Sequence, residues 1–395
     1  MTGPAGWVAR IAAGTSEQRD RTVDALRAVA ILGVVFGHWL VSAVVADPYR
    51  PAALHGASPL SYEARLGPVS WFFQTLGPFF FAGGYAAARS VRGRRYPAWG
   101  VARLARLVPP VLVLAAVWLP ALLLLSAVGA PRSTRQVVWS LVSHPLWFLL
   151  VYLILTALTP VLRAVVIRCG PWPVLAPVAL VAVTDVVRGH GLPTWLELLT
   201  VLVGWAGPYL LGVALAEDRL PRRAGALLLP LGMTGAAALV LLAGYPASAV
   251  GVPGDGWSNL DPPSLFTLAL AAAQLGAFLL LRPYLARWLR RPAVWAPVAA
   301  LNLTAMTLYC WHQTALLLVT FAGLPAGRPR GLLDAPTGGW PAYRLLWLPV
   351  FALVLAGLCA LFHRFERPRR GRPRVRTDRS CPVADKERSP LGERL

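Results

Sequence analysis

Arg27 and His38 are ionisable residues inside the first long apolar run of this chain of 395 residues. Ionisable groups are costly within a bilayer and usually face a cavity or a partner, so both are candidates for function. Their spacing returns to within about 20° of the same helix face over a rise of roughly 16 Å, which puts them on one stripe. Asp24 lies three residues before Arg27, within reach of its guanidinium. Because a neutral imidazole accepts protons from hydroxyls, we predict that His38 is a base; a histidine that only bonds a neighbouring helix is the alternative.

The elements that must position this stripe are membrane helices. Hydrophobic residues make up 56% of the chain and charged residues only 14%, with a mean hydropathy of +0.57. Soluble domains carry about 25% charged residues, so this composition excludes an ordinary soluble enzyme. The apolar residues fall in runs of roughly 20, the length of a helix that crosses a bilayer. The sequence therefore predicts an all-α integral membrane protein whose main partner is the lipid bilayer.

Hydropathy predicts about ten transmembrane helices. The weakest run ends in Asp185 and Arg188. The predicted spans are 24–46, 67–90, 107–129, 141–162, 172–188, 195–216, 224–244, 264–285, 294–323 and 342–365.

The net charge of +21 is concentrated in short segments between these runs. Most basic residues fall on the side of the two termini, and basic loops resist translocation, so both termini are predicted to be cytoplasmic. This distribution explains the charge without a nucleic-acid partner. The predicted parts are a cytoplasmic segment 1–23, a transmembrane domain 24–365 and a disordered basic tail 366–395. The Arg-rich, Ala-rich composition is typical of a high-GC coding background, so we expect the plasma membrane of a high-GC bacterium.

The four cysteines show no spacing typical of metal ligands or of a disulfide framework, so no metal site is predicted. They are Cys169, Cys310, Cys359 and Cys381.

The segment 19–38 resembles the opening of the acyltransferase-3 family of polytopic membrane acyltransferases, whose first helix carries an Arg, ten residues and then a His. Gly83 departs from the family, which commonly has Ser there. Further segments similar to family motifs follow in order: 79–85 (FFFAGGY), 103–109 (RLARLVP), 145–149 (PLWFL), 259–263 (NLDPP), 309–312 (YCWH) and 365–368 (FERP). With no appended hydrolase-like domain, the chain resembles the stand-alone members.

This resemblance implies transfer of an acyl group, usually acetyl from acetyl-CoA, to a carbohydrate or other hydroxyl on the far side of the membrane. Arg103 and Arg106, with Arg27 nearby, are expected to hold the phosphates of coenzyme A, because guanidinium matches phosphate geometry. The alternative is that both arginines only anchor the topology. His38 is expected to deprotonate the acceptor or to carry the acyl group transiently, and the sequence does not decide between these routes.

The remaining candidates are assigned by their positions in the predicted spans. His312, one turn after Tyr309, is expected to orient the acceptor or polarise the thioester, or only to join two helices. Trp147 and Tyr152 are candidates for a pantetheine or sugar channel. A second group is expected near the acceptor, with a structural ion pair as the alternative for the last of them: His144, Tyr309, Asn259 and Glu366.

Two other classes of protein compete with this reading. A secondary transporter also has many helices and buried charges, but we find no clear internal repeat. A membrane scaffold would not need Arg27 and His38 on one stripe. The acceptor and the length of the acyl chain are not specified by the sequence.

Overall fold

The computed structural model describes Gly14, Ser16, residues 19–188, Gly191 and residues 193–366. In chain order the α-helices are α1 (Arg21–Val41), α2 (Ser70–Phe73), α3 (Leu76–Val91), α4 (Tyr96–Ala127), α5 (Arg132–Ser143), α6 (Leu146–Ala157), α7 (Thr159–Cys169), α8 (Leu175–Val187), α9 (Thr194–Ala216), α10 (Ala224–Leu242), α11 (Leu265–Trp288), α12 (Pro292–Leu303), α13 (Ala305–Gly323) and α14 (Trp340–Phe362). The strands are β1 (Ala43–Ala46) and β2 (Leu54–Ala57). Short 3-10 helices occupy Pro59–Ser61, Ala64–Val69, Trp172–Val174, Leu324–Ala326 and His363–Glu366. The all-α membrane architecture is confirmed.

The first helix is shorter at its end than its apolar run predicts. It begins after Asp20, whose carboxylate accepts hydrogen bonds from the backbone N–H groups of the first turn. It ends at Val41, so the predicted end at residue 46 is wrong. Strand β1 follows instead and pairs antiparallel with β2. The β-branched residues of β1 favour an extended backbone, and Ala46 N–H donates to the carbonyl of Leu333, which satisfies one edge of the hairpin.

Within the described residues, seven helical spans are long and apolar enough to cross a membrane, and nine if two bent pairs are each one span. The bends are 119° between Thr159–Cys169 and Trp172–Val187, and 73° between Pro292–Leu303 and Ala305–Ala326. The predicted span 67–90 does not qualify, because a break after α2 leaves α3 only 16 residues long. The count of ten and the side of the termini therefore stay predictions.

The break between α2 and α3 is built into the packing against α1. The Thr75 hydroxyl donates to the carbonyl of Ala30 at 2.7 Å, across the helix interface. A side chain on Gly33 would meet the Thr75 hydroxyl oxygen at 2.5 Å, so only glycine lets the break approach α1 this closely. The break thus seats residues 73–75 beside the Arg27–His38 stripe.

Loops gather at the two ends of the helix bundle, as the alternation of spans predicts. At the end where α1 begins, Glu217 pairs with Arg92 and Arg163, and Arg21 donates to the carbonyl of Leu289. We call this the basic end. At the other end lie the β1–β2 hairpin and the loops 245–263 and 327–339, which we call the hairpin end.

Candidate functional site

His38 and His312 form a hydrogen-bonded pair in the interior of the bundle. His312 Nδ1 lies 2.6 Å from the carbonyl oxygen of Tyr309, and a carbonyl only accepts, so this nitrogen carries the hydrogen. In a neutral ring, His312 Nε2 is then an acceptor. It lies 2.8 Å from His38 Nδ1, which must donate to it. This chain of partners leaves Nε2 of His38 with a free lone pair.

The helix end that carries His38 is fixed by two further side chains. The indole of Trp39 donates to the carbonyl of His312 at 2.9 Å, which ties α1 to α13 beside the histidine pair. Arg344 is 0% exposed and donates to the carbonyls of Trp39, Ser42 and Gly331. Two of these carbonyls belong to the C-terminal end of α1, where a cation is favourable. Arg344 therefore holds the end of the helix at which His38 sits.

Arg27 is fixed at the other end of the stripe. Its Nη2 lies 3.6 Å from a carboxylate oxygen of Asp24, as the spacing predicts, and its Nε donates to the amide oxygen of Asn302 at 2.5 Å. The Asn302 amide nitrogen donates to the carbonyls of Asp24 and Val298. Asp24 also pairs with Arg19. Asn302 of α12 thus links the side chain of Arg27 to the backbone of α1, the helix that carries this arginine.

A cavity of about 390 Å³ opens beside Arg27 at the basic end. Six arginines and two aspartates line what we call the arginine cavity: Arg19, Arg27, Arg89, Arg94, Arg103, Arg106, Asp20 and Asp24. Arg103 donates to the hydroxyl of Ser90 and to the carbonyl of Ala86, and it lies over the ring of Trp99. The excess of fixed positive charge makes this cavity suited to a polyanion.

Asp20 organises the wall of the arginine cavity. Its carboxylate caps α1 and accepts hydrogen bonds from Thr22, Arg282 and Tyr85, so it joins α1 to α11 and α3. Burial by itself would raise the pKa of Asp20. The hydrogen bond from Thr22 and the charge and hydrogen bond of Arg282 outweigh it and hold this pKa below its usual value.

A second cavity, of about 320 Å³, opens beside His38 at the hairpin end. We call it the histidine cavity. Of the residues predicted from sequence, it brings together His38, His144, Trp147 and Tyr309. His312 is not among the lining residues and lies behind His38. The two cavities lie at opposite ends of the stripe on α1.

Of the other predicted residues, Tyr152 and Asn259 do not line either cavity. Tyr152 packs in an aromatic cluster with Phe79 and Phe148 and against Gly83, where an added Cβ would lie 2.4 Å from the tyrosine ring. Asn259 is buried and uses its amide to hold its own loop. The side chain of Glu366 lies outside the described residues, so its ion pair stays a prediction.

Three polar residues that the sequence analysis did not single out lie at the site. Asn302 and Arg344 hold the two ends of α1, and Gln74 lines the histidine cavity. The Nε2 atom of Gln74 has no hydrogen-bond partner among the described residues, and the residue is 6% exposed. Each of these three residues interrupts an apolar run. Arg344 could have been found from the sequence, because it is an ionisable residue within an apolar run, as Arg27 and His38 are.

One of three comparisons with known proteins identifies a family for this chain. The model of a protein family described as "Acyltransferase domain", the acyltransferase-3 family, matches residues 20–363. Searches of curated proteins and of solved structures found no match. The matched region contains the stripe and, apart from Arg19, all the residues that line the two cavities.

Proposed function

Because the chain belongs to the acyltransferase-3 family and is therefore a membrane acyltransferase, we propose that it moves an acyl group, acetyl in the first instance, from cytoplasmic acyl-CoA to a hydroxyl of a carbohydrate or glycosylated acceptor. The observation that carries this proposal is the free Nε2 of His38, set on one cavity while the same helix presents Arg27 to the other. Nothing in the described residues favours the transporter alternative.

The arginine cavity fits the anionic part of the donor. Coenzyme A carries a pyrophosphate and a ribose phosphate, which guanidinium groups bind through charge-assisted hydrogen bonds. Arg103 is already oriented by Ser90 and Trp99, and Arg106 lines the same wall. From there the pantetheine arm has to cover the rise from Arg27 to His38, roughly 16 Å for eleven helical residues.

The residues at His38 supply acid and base chemistry. Nε2 of His38 accepts the proton of the acceptor hydroxyl. At the same time the hydroxyl oxygen bonds to the acyl carbon, and the carbon–sulfur bond of the thioester breaks. His38 then returns the proton to the departing thiolate, so the enzyme ends in its starting state. While His38 is charged, its Nδ1–H bond to His312 becomes charge-assisted and stronger. His312 thus acts through His38, since it does not reach the cavity.

Turnover of a histidine variant tests the proposal. Purified protein in nanodiscs is given acetyl-CoA and hydroxyl acceptors, and release of the coenzyme A thiol is measured. We expect His38→Ala to lower turnover by at least about 100-fold, the usual contribution of a general base. His55→Ala is the matched control, because His55 is an exposed histidine of the hairpin. Undiminished turnover in His38→Ala would contradict the mechanism.

The same assay separates direct transfer from a covalent route. Direct transfer predicts no stoichiometric burst of thiol from acetyl-CoA alone, because both substrates must be present. A burst of one thiol for each protein molecule, lost in His38→Ala, would instead indicate an acyl group carried on Nε2.

A further inference from the structure

The side chains that line the histidine cavity are mostly apolar. They come from α1, from the loop and helix over 59–76, from 145–148, from the loop 245–263 and from the start of α14. Leu40, Leu60, Leu76 and Leu345 are typical of them. Apolar walls of this kind favour an apolar body, because they exclude water and present few hydrogen-bonding atoms.

The few polar side chains on these walls are mostly committed to other partners. The Ser70 hydroxyl donates to the carbonyl of Gly67 and accepts from Ala249 N–H, and the Tyr309 hydroxyl donates to the carbonyl of Pro145. Two groups of residues that line the cavity are suited to a hydroxyl. One is the acceptor Nε2 of His38, and the other is the donor Nε2 of Gln74, which has no partner among the described residues. His144 and Trp147 also line this cavity.

One acceptor and one donor match a single hydroxyl group. A hydroxyl donates its hydrogen to His38 and can accept one from Gln74. A free sugar has several hydroxyls, and most of them would find no partner on these walls after losing water, which disfavours its binding. A glycosylated acceptor avoids this cost when its apolar part enters the cavity and its sugar stays at the rim near the exposed His144.

The rim of the cavity is continuous with the apolar surface of the helices. Val69 and Leu345 line the cavity and are themselves 50% and 54% exposed. The neighbouring Phe72 is also an exposed apolar side chain. In a chain that spans a membrane, an exposed apolar rim of this kind is suited to contact with lipid.

From these observations we propose that the acceptor is an amphiphile that enters the histidine cavity from the lipid, buries an apolar body there and presents one hydroxyl to His38. This inference rests on the proposed acyl transfer and names the class of acceptor for it. We assign this cavity to the acceptor, whereas the anionic part of the donor is assigned to the arginine cavity at the opposite end of α1.

The test uses full-length protein in nanodiscs with acetyl-CoA and a series of acceptors. Butanol, hexanol, octanol and decanol each carry one hydroxyl on a growing apolar body, and methyl β-glucoside is the polar comparison. We expect kcat/KM to rise by up to about fourfold for each added methylene group and to exceed the value for methyl β-glucoside.

Partitioning into the bilayer also increases with chain length, and it is the same for every protein variant. The ratio of kcat/KM for octanol to kcat/KM for butanol is therefore expected to be about tenfold smaller in Leu345→Asn than in the wild type. Leu346→Asn should leave it unchanged, because Leu346 is 72% exposed on the same helix and does not line the cavity. Val69→Asn places the same change on another wall if Leu345→Asn does not fold.

The outcomes distinguish the inference from the function on which it rests. Methyl β-glucoside used as well as octanol, or a dependence on chain length that neither cavity variant changes, would overturn the amphiphilic acceptor while acyl transfer stands. A dependence on the length of the acyl-CoA chain that Leu345→Asn removes would assign the cavity to the donor instead. Absence of thiol release with every acceptor would overturn the proposed function itself.

Discussion

In the proposed mechanism His312 positions the reactive nitrogen of His38. Two substitutions of His312 separate the effect of its hydrogen bond from that of its bulk. His312→Phe keeps an aromatic ring but leaves the Nδ1–H of His38 without an acceptor. An unpaired buried donor costs about 1–3 kcal/mol, so we expect kcat to fall by about 10- to 100-fold. His312→Gln keeps an acceptor oxygen and should retain more activity. The kcat of both variants is measured as thiol release from acetyl-CoA. An equal loss of kcat in His312→Phe and His312→Gln would argue against the role of the hydrogen bond.

The packing of Tyr152 explains why this chain has Gly83 where the family commonly has serine. The missing side chain of Gly83 makes room for the ring of Tyr152, so serine does not fit here without a shift. We expect Gly83→Ser to lower the free energy of unfolding by about 1–3 kcal/mol. Thermal unfolding in detergent measures it, with Gly357→Ser as control, because an added side chain at Gly357 meets nothing within 4 Å.

A double variant tests whether Tyr152 is the cause. If the ring and the serine compete for one space, Tyr152→Leu combined with Gly83→Ser should cost less than the sum of the single changes, by about 0.5 kcal/mol or more. Additive losses would place the strain elsewhere.

Contacts between residues could be predicted from the sequence where both residues lie in the same helix. The Arg27–Asp24 contact follows from their spacing, and the structure confirms it. The contact between His38 and His312 joins residues far apart in the chain, so no local period could predict it. Gln74 interrupts an apolar run, and only the break after α2 places it on a cavity.

At the scale of elements, Asp20 fixes how α1 meets its neighbours. Asp20→Asn keeps an oxygen that caps the helix but loses the charge that pairs with Arg282, whereas Asp20→Ala loses both. Near pH 7 we expect Asp20→Ala to cost about 0.5–2 kcal/mol more than Asp20→Asn, the usual value of an N-cap.

The dependence on pH follows from the lowered pKa of Asp20. A carboxyl whose pKa is lower in the folded state adds stability above its unfolded pKa, about 3.9, and loses it as the pH falls through the folded value. The difference in thermal stability between wild type and Asp20→Asn should therefore shrink below about pH 4. Asp255→Asn, at an exposed loop position, is the control. A difference that does not shrink at all as the pH falls would show that the ionised carboxylate is not its source.

The elements themselves were predictable from hydropathy where a span is one straight helix. Such is the case for α9 and α11, whose bounds agree with the predicted runs within a few residues. Bent spans were not resolved, since a window of mean hydropathy is the same on both sides of a bend. The run 294–323 is two helices at 73°, and that bend sets Asn302 beside Arg27 while His312 lies beside His38.

At the scale of the whole molecule, the two cavities serve acyl transfer across a membrane only if the basic end faces the cytoplasm, where acyl-CoA is made. Cys169 is exposed and ends α7, the helix whose Arg163 pairs at the basic end. Tyr49 is 93% exposed in the turn of the hairpin. These two positions therefore report on opposite ends of the bundle.

Labelling with a membrane-impermeant maleimide shows on which side of the membrane each position lies. The experiment uses a chain that carries Cys381→Ser. The remaining Cys310 and Cys359 are buried and should react slowly. We expect the cysteine of Tyr49→Cys to be labelled in intact cells, and Cys169 only in inverted vesicles, because basic loops stay in the cytoplasm. Labelling of both from one side would contradict the two-ended bundle. Exchange of the two sides would place the arginine cavity outside the cell, where it could not draw acyl-CoA from the cytoplasm.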